Sequence, residues 1–197
     1  MLKELTIEQR KELIEKYPYL LPRNPFTDKV SDDYDYSFLK GEYSIPDGWL
    51  QLFLQCCEDL YDPLKEAEYL DKFRFLDIKE KYGSMRFATC RVNDEIFEIL
   101  EKYEFLSQQV CCICGEPATV ITNGWVCPYC SEHVKDSCEI VEDADIIEIQ
   151  TKYTRRTWSA ETGDSTKEID CTDEWNRYLE RIGELNEVGE LRKSDTD

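Results

Sequence analysis

Apolar residues recur about every three to four positions in four stretches of the chain, the spacing that places them along one face of an α-helix. Residues that favour helix boundaries accompany two of these stretches. Thr6 and Gln9 form a capping-box pattern, and Pro18 and Pro63 follow the first and the second stretch. We therefore expect Pro63 to end the second helix. The four predicted helices cover residues 6–17, 49–61, 94–109 and 172–182.

The same periodicity assigns an apolar face to each helix. In the first helix the residues that share this face are Ile7, Leu13, Ile14 and Tyr17. In the second helix the predicted buried positions are Leu50, Phe53, Leu54, Cys57, Leu60 and Tyr61. In the third helix they are Ile96, Phe97, Leu100, Tyr103 and Leu106. In the last helix they are Trp175, Tyr178, Leu179 and Ile182, with Thr172 as the predicted N-cap.

Strand-like segments lie between the helices. We expect one strand over residues 73–79, its partner over residues 85–90, and a turn at residues 82–84 between them. Further strands are predicted at residues 118–122, 125–126 and 146–158, the last followed by a turn at residues 159–165. The pattern predicts an α+β fold in which helices pack on a small antiparallel sheet or hairpin.

Cysteine and histidine spacing in residues 111–133 predicts a metal site embedded in this fold. Cys111 and Cys114 form a Cys-x2-Cys knuckle, and Cys130 and His133 form a second short-spaced pair. Two such pairs separated by a hairpin-length insert suit a four-coordinate zinc ion, which prefers thiolate and imidazole ligands. We expect one structural zinc ion per chain, held by a zinc-ribbon knuckle.

The fourth ligand is open on spacing alone. Cys127 with Cys130 forms another Cys-x2-Cys pair, so Cys127 is the alternative to His133, and Cys112 adds a spare thiol. A catalytic zinc keeps one coordination position for water. No glutamate or second histidine is placed for that chemistry, so a closed structural site is favoured.

We divide the chain into parts around this site. A long irregular segment, residues 18–48, contains DYDYSF and is expected to wrap on the core surface. The predicted parts are a helical and hairpin core at residues 1–110, the integrated knuckle at residues 111–133, C-terminal strands and a helix at residues 134–183, and a polar tail at residues 184–197.

Composition limits the cellular setting and the partners. The chain has 197 residues and a net charge of −19, from 43 acidic and 24 basic residues. This excess repels nucleic-acid phosphates and attracts basic protein surfaces. The first residues lack the apolar region of a signal peptide, and no run is long enough to cross a membrane, so we expect the cytosol. In that reducing setting the expected free thiols are Cys56, Cys57, Cys90, Cys138 and Cys171.

Two groups of basic residues are candidates for a binding surface. The first lies on the predicted hairpin, and the second near the end of the strand at residues 146–158. One interpretation is a nucleic-acid contact, and the favoured one is a charged sheet face paired with nearby carboxylates. The residues are Lys79, Lys81, Arg86, Arg91, Lys152, Arg155 and Arg156.

A combination of short motifs adds a resemblance over about residues 15–133. In order, the motifs are PYLLPRN, DYDYSF, PDGW, IKEKYGSMRF, Cys-x2-Cys-Gly, ATVITNGW and PYC. This order resembles an uncharacterised family of small zinc-knuckle proteins from bacteria and bacteriophages. The resemblance implies that Cys130 and His133 are the second ligand pair, because Cys127 falls where that family usually has no cysteine. It also implies a setting of mobile genetic elements, with the cytosol of a bacterial host as the location of a phage-encoded protein.

Three classes of function follow, with a protein-binding protein favoured. Catalysis is disfavoured because the single histidine is a predicted metal ligand and the chain has no Gly-rich phosphate loop. An acidic, zinc-stabilised protein could occupy the basic nucleic-acid-binding surface of a host nuclease or defence complex. One alternative is a zinc-ribbon module with a nucleic-acid-binding or regulatory role. The other is an immunity protein against a nuclease toxin.

Overall fold

The computed structural model describes residues 5–21, 23, 27, 29–30, 45–122, 126–136, 144–161 and 163–194. The DYDYSF segment and Cys138 lie outside these residues. The helices are α1 (Ile7–Lys16), α2 (Leu50–Glu66), α3 (Asp94–Ser107), α4 (Ser131–Asp136) and α5 (Thr172–Ser194). The strands are β1 (Phe75–Lys81), β2 (Ser84–Thr89), β3 (Val120–Thr122), β4 (Pro128–Tyr129), β5 (Ala144–Ile146), β6 (Lys152–Ser159) and β7 (Gly163–Asp170).

Within the described residues the strands form three small antiparallel sheets. β1 pairs with β2 as the predicted hairpin, β3 lies between β4 and β5, and β6 pairs with β7. The α+β class predicted from the sequence is confirmed. The N-terminal cap is confirmed as well: the Gln9 backbone N–H donates to the Thr6 hydroxyl at 3.2 Å, and the Thr6 N–H donates to the Gln9 side chain at 2.9 Å.

One apolar core joins the two halves of the chain. Trp49 and Phe53 of the first half are fully buried, and Trp175 and Tyr178 of α5 belong to the same cluster. Polar contacts follow the same seam. The Gln55 side-chain amide donates to a backbone carbonyl of α5 at 2.8 Å. The C-terminal helix is therefore fastened to α2 by burial and by directional bonds.

A charged cluster reinforces this seam beside the core. Both oxygens of Asp59 accept from the Arg177 guanidinium at 2.7 Å, and one of them also accepts from the Tyr103 hydroxyl at 2.6 Å. Bidentate geometry of this kind fixes orientation as well as charge. The register of α5 against α2 and α3 is thereby set at one point.

The second helix does not end at Pro63, contrary to expectation. It continues to Glu66, with Pro63 inside its last turns. Proline lacks the N–H of a helical hydrogen bond, but the continuation places Leu64 in the core with no exposed surface. Burial of Leu64 offsets the missing bond.

Two residues assigned to apolar helix faces are not buried, since Ile7 is 53% and Phe97 is 44% exposed. The Phe97 ring faces the β6–β7 hairpin, where the Arg155 guanidinium lies 4.9 Å from the ring centroid. Periodicity alone placed Phe97 on the apolar face of α3. The cation–π contact with Arg155 stabilises the ring in a partly exposed position.

The single strand predicted over residues 146–158 is also wrong. The chain there contains the end of β5 and most of β6, separated by residues 147–151, which belong to no strand. The cause is Gln109, whose side-chain amide donates to the backbone carbonyl of Gln150 and accepts from its N–H. This side chain takes the place of a neighbouring strand. The turn predicted at residues 159–165 contains the start of β7, a strand that the sequence analysis missed.

Two smaller predictions also need correction. For the strand expected at residues 125–126, Trp125 lies outside the described residues and Val126 belongs to no strand; the strand that follows β3 is β4. Thr172 does not cap α5 but is its first residue. Asp170 supplies the cap contact, because its carboxylate accepts from the Thr172 backbone N–H at 2.9 Å.

Candidate metal centre

The four predicted ligand residues come from two chain segments that the fold brings together. Cys111 and Cys114 lie in the turn that follows α3, and Cys130 immediately precedes α4. His133 lies in the first turn of α4, three residues after Cys130. This spacing on a helix start turns the imidazole back towards the Cys130 thiol.

Distances between the ligand atoms fit a single bound ion. The Cys114 and Cys130 sulfurs lie 3.7 Å apart, and His133 Nδ1 lies 3.2 Å from Cys130 Sγ and 3.6 Å from Cys111 Sγ. All four ligand atoms lie within 4.8 Å of one another. A tetrahedral site with metal–sulfur bonds of about 2.3 Å and metal–nitrogen bonds of about 2.0 Å has edges of about 3.5–3.8 Å. The four residues could therefore hold a metal ion.

The thiols of Cys114 and Cys130 differ in pKa. Burial raises the pKa of the Cys114 thiol to about 12. Burial also acts to raise the pKa of Cys130, but backbone N–H groups of His133 and Glu132 and the imidazole outweigh it and lower that pKa to about 7. Cys130 is thus prepared as a thiolate by α4, whereas Cys114 needs a cation nearby to become one.

Cys127, the alternative ligand, is placed elsewhere. Its backbone N–H donates to the Thr122 hydroxyl at 3.0 Å. Its thiol contacts the thiol of Cys112, and this contact together with burial raises the pKa of Cys112. The cluster of four ligand atoms includes His133 and not Cys127. Cys112 and Cys127 form a separate thiol pair beside the centre.

Among the described residues, four further cysteines take no part in the centre. Cys56, Cys57, Cys90 and Cys171 are free thiols. Burial raises the pKa of Cys56 and Cys57, which lie in the core with no exposed surface. These two act as small apolar side chains.

The PDGW motif donates hydrogen bonds to the backbone of the first knuckle. The Gly48 N–H donates to the Cys112 carbonyl at 3.0 Å, and the Trp49 indole N–H donates to the Val110 carbonyl at 2.9 Å. A Cβ atom on Gly48 would lie only 2.1 Å from the Cys111 carbonyl oxygen. Only glycine allows this approach, so Gly48 supports the metal site. The sequence analysis included Gly48 only in the PDGW motif and gave it no role in the metal site, although this motif was a signal.

The knuckle also closes on itself and on the second knuckle. The Cys111 N–H donates to the Glu116 carbonyl at 2.8 Å, and the Gly115 N–H donates to the Cys111 carbonyl at 3.0 Å. Gly115 has a φ of 86°, which glycine adopts without strain. The Cys112 N–H donates to the Pro128 carbonyl at 3.0 Å, joining the two ligand segments. The ligands therefore sit on a backbone held at several points.

Several of the basic residues named in the sequence analysis pair with carboxylates. Arg86 lies 2.8 Å from Glu104, and Lys79 pairs with Asp77. The Arg155 guanidinium lies 3.1 Å from a further carboxylate, that of Glu101 on α3. Lys152 pairs with Asp170 and Glu168 in the same way.

Comparisons with known proteins add no relative. No family model matches the chain, and no curated protein or solved structure matches it either. Among the described helices, none is long and apolar enough to cross a membrane.

Proposed function

We propose that this protein is a non-enzymatic, zinc-stabilised binding protein whose acidic surface docks on a basic surface of another protein. The observation that carries the proposal is the metal centre, in which three thiols and one imidazole can fill all four positions of a tetrahedron. Such a donor set suits zinc, and a filled tetrahedron leaves no position for a reacting water. The zinc in this proposal is structural.

The position of the centre supports a structural role. Its ligand segments contact the PDGW turn and α5, so a bound ion would hold the two ligand segments together at the place where they meet α5. Structural zinc contributes on the order of 10 kcal/mol of apparent binding energy in small zinc domains. An ion at this place would hold the shape of the surface around it.

Charge supports the choice of partner. The chain carries a net charge of −19. Exposed carboxylates follow one another on α1 at Glu8, Glu12 and Glu15, and again near the end of α2 at Asp62 and Glu66. Rows of carboxylates can take the place of phosphates on a basic groove, such as the nucleic-acid-binding surface of a nuclease or defence complex. Two forms of the proposal use this binding mode: the protein is a phage-encoded inhibitor, or it is an immunity protein against a nuclease toxin.

A zinc-ribbon module that binds nucleic acid is the second candidate. Lys81 and Arg156 are exposed and favour it. The carboxylate partners of Lys79, Arg86 and Arg155 count against it, because each phosphate contact needs an available cation.

Capture from a bacterial lysate tests the proposal. Metal-loaded protein is immobilised and exposed to lysate with and without nuclease treatment, and retained proteins are identified by mass spectrometry. The proposal predicts a stable partner that survives nuclease treatment and is displaced by added duplex DNA, which competes for its basic groove. Recovery of nucleic acid without a stable protein would contradict the proposal and favour the second candidate.

A further inference from the structure

A groove between the C-terminal end of α1 and the middle of α2 has the chemistry of a cation site. It encloses about 460 Å³ and is lined by Glu15, Lys16, Tyr17, Glu58 and Tyr61. The two tyrosine rings stand edge to face with centroids 6.1 Å apart. A pair of rings beside two carboxylates is an arrangement that stabilises positive charge.

The protein's own lysines already occupy the faces of these rings. The Lys16 ammonium lies 4.9 Å from the centroid of Tyr17 and 3.8 Å from a carboxylate oxygen of Glu58. The Lys65 ammonium lies 5.9 Å from the centroid of Tyr61. Contact with Tyr17 and the charge of Glu58 raise the pKa of Lys16, so the groove favours a bound cation.

Tyr17 itself has unused binding capacity. Its side chain is 2% exposed, and within the described part of the chain its hydroxyl forms no hydrogen bond shorter than 3.5 Å, although the Lys16 ammonium lies near enough to it to raise the pKa of Lys16. A buried polar group without a partner is costly, and a donor that reached it would recover that cost. Lys16, which covers the ring, has a side chain that is 62% exposed. It can move aside without disturbing the core.

We infer that this groove receives an arginine side chain of the basic protein partner, which displaces Lys16 from the face of Tyr17. This inference rests on the proposed function and names the place of contact. A guanidinium matches the groove better than an ammonium because it is flat enough to stack on the ring. It also presents several N–H donors in one plane, which suit a carboxylate and a hydroxyl together.

The surrounding charges allow this exchange. Glu58 keeps its second oxygen on Arg181, which holds the carboxylate in place. Glu15 adds a second carboxylate to the groove, and Lys65 adds one positive charge near Tyr61. When Lys16 leaves, the groove loses one positive charge, and one incoming cation can replace it.

Nuclear magnetic resonance on the metal-loaded full-length protein tests the inference, with blocked N-acetyl-arginine amide as the probe. We expect the ring resonances of Tyr17 and Tyr61 to shift with rising arginine concentration. The matched probe is the citrulline analogue, which has the same shape without the charge, and it should shift them far less. Equal shifts from both probes, or no ring shifts, would overturn the inference.

Substitution of the displaced lysine gives a second readout. Lys16→Ala removes the competing cation from an exposed position, so arginine should bind about two- to fivefold more tightly. Lys11→Ala changes the net charge equally on the same helix and should leave the affinity near its original value. An unchanged affinity in Lys16→Ala, or the same gain in Lys11→Ala, would count against an arginine in this groove.

The outcomes separate this inference from the proposed function. If a basic partner is captured from lysate equally well by the wild-type protein and by Glu58→Gln, the proposed function stands and the groove is not the contact. If the groove binds arginine but no stable partner is captured, the site is retained and the proposed function fails.

Discussion

The hydroxyl of Tyr178 in the C-terminal helix donates a 2.6 Å hydrogen bond to the carbonyl oxygen of Gly115, the residue that follows the first metal knuckle. Tyr178 has no exposed surface, so water cannot replace this bond. Burial raises the pKa of Tyr178, and the phenol remains a donor at neutral pH. The metal centre and the last helix are therefore linked through one buried contact.

Removal of this hydroxyl should weaken the fold. Tyr178→Phe leaves the ring in place but leaves the Gly115 carbonyl without this partner, so the free energy of unfolding should fall by about 1–3 kcal/mol. Urea denaturation measures the change. Tyr82→Phe is the matched control, because Tyr82 is 73% exposed and its substitution should change stability by less than about 0.5 kcal/mol. Equal stability of the two variants would contradict the link.

The glycine under the knuckle gives a second prediction. Gly48→Ala places a methyl group 2.1 Å from the Cys111 carbonyl oxygen, so the knuckle must move. We expect lower stability and weaker metal binding, measured by thermal unfolding and by chelator competition. Gly183→Ala, in α5 with no atom within 4 Å of the new methyl group, should be neutral or stabilising. Full metal affinity in Gly48→Ala would show that the PDGW turn does not support the site.

The identity of the fourth ligand gives a third prediction. His133→Ala should lose most of its metal, because the imidazole lies 3.2 Å from Cys130 Sγ within the ligand cluster. Cys127→Ser should keep a full equivalent, since its thiol contacts Cys112 instead. Metal content after desalting measures both. Loss of metal from Cys127→Ser alone, with His133→Ala loaded, would reverse the assignment.

Acid should release the metal, which is the fourth prediction. Ligands must be deprotonated to bind, so affinity is highest at neutral or higher pH and falls as protons compete for the thiolates and the imidazole. Cys130, with its pKa lowered to about 7, gives up its proton more readily than Cys114, with its pKa raised to about 12. A chromophoric chelator followed through an acid titration measures release. Retention of the metal in acid would argue against thiolate ligands.

Local chemistry made part of this structure predictable from the sequence. The Thr6 cap and the β1–β2 turn depend on residues close together in the chain, and both are present. The ligand spacing of Cys111 and Cys114 is equally local. In such cases the residue types and their separation already determine the geometry.

Contacts between distant segments account for several of the errors. Phe97 packs against Arg155 of a hairpin from the C-terminal third, and its ring stays partly exposed. The strand at residues 146–158 is divided because Gln109, far away in the sequence, binds Gln150. The choice between His133 and Cys127 likewise depends on how the two knuckles fold together. Periodicity carries no information on these pairings.

Elemental analysis of the purified, untagged protein tests the central claim most directly. The account predicts one zinc ion per chain, retained through gel filtration and lost together with the native fold when a strong chelator is added. Protein that contains no transition metal and yet keeps its folded structure would contradict it.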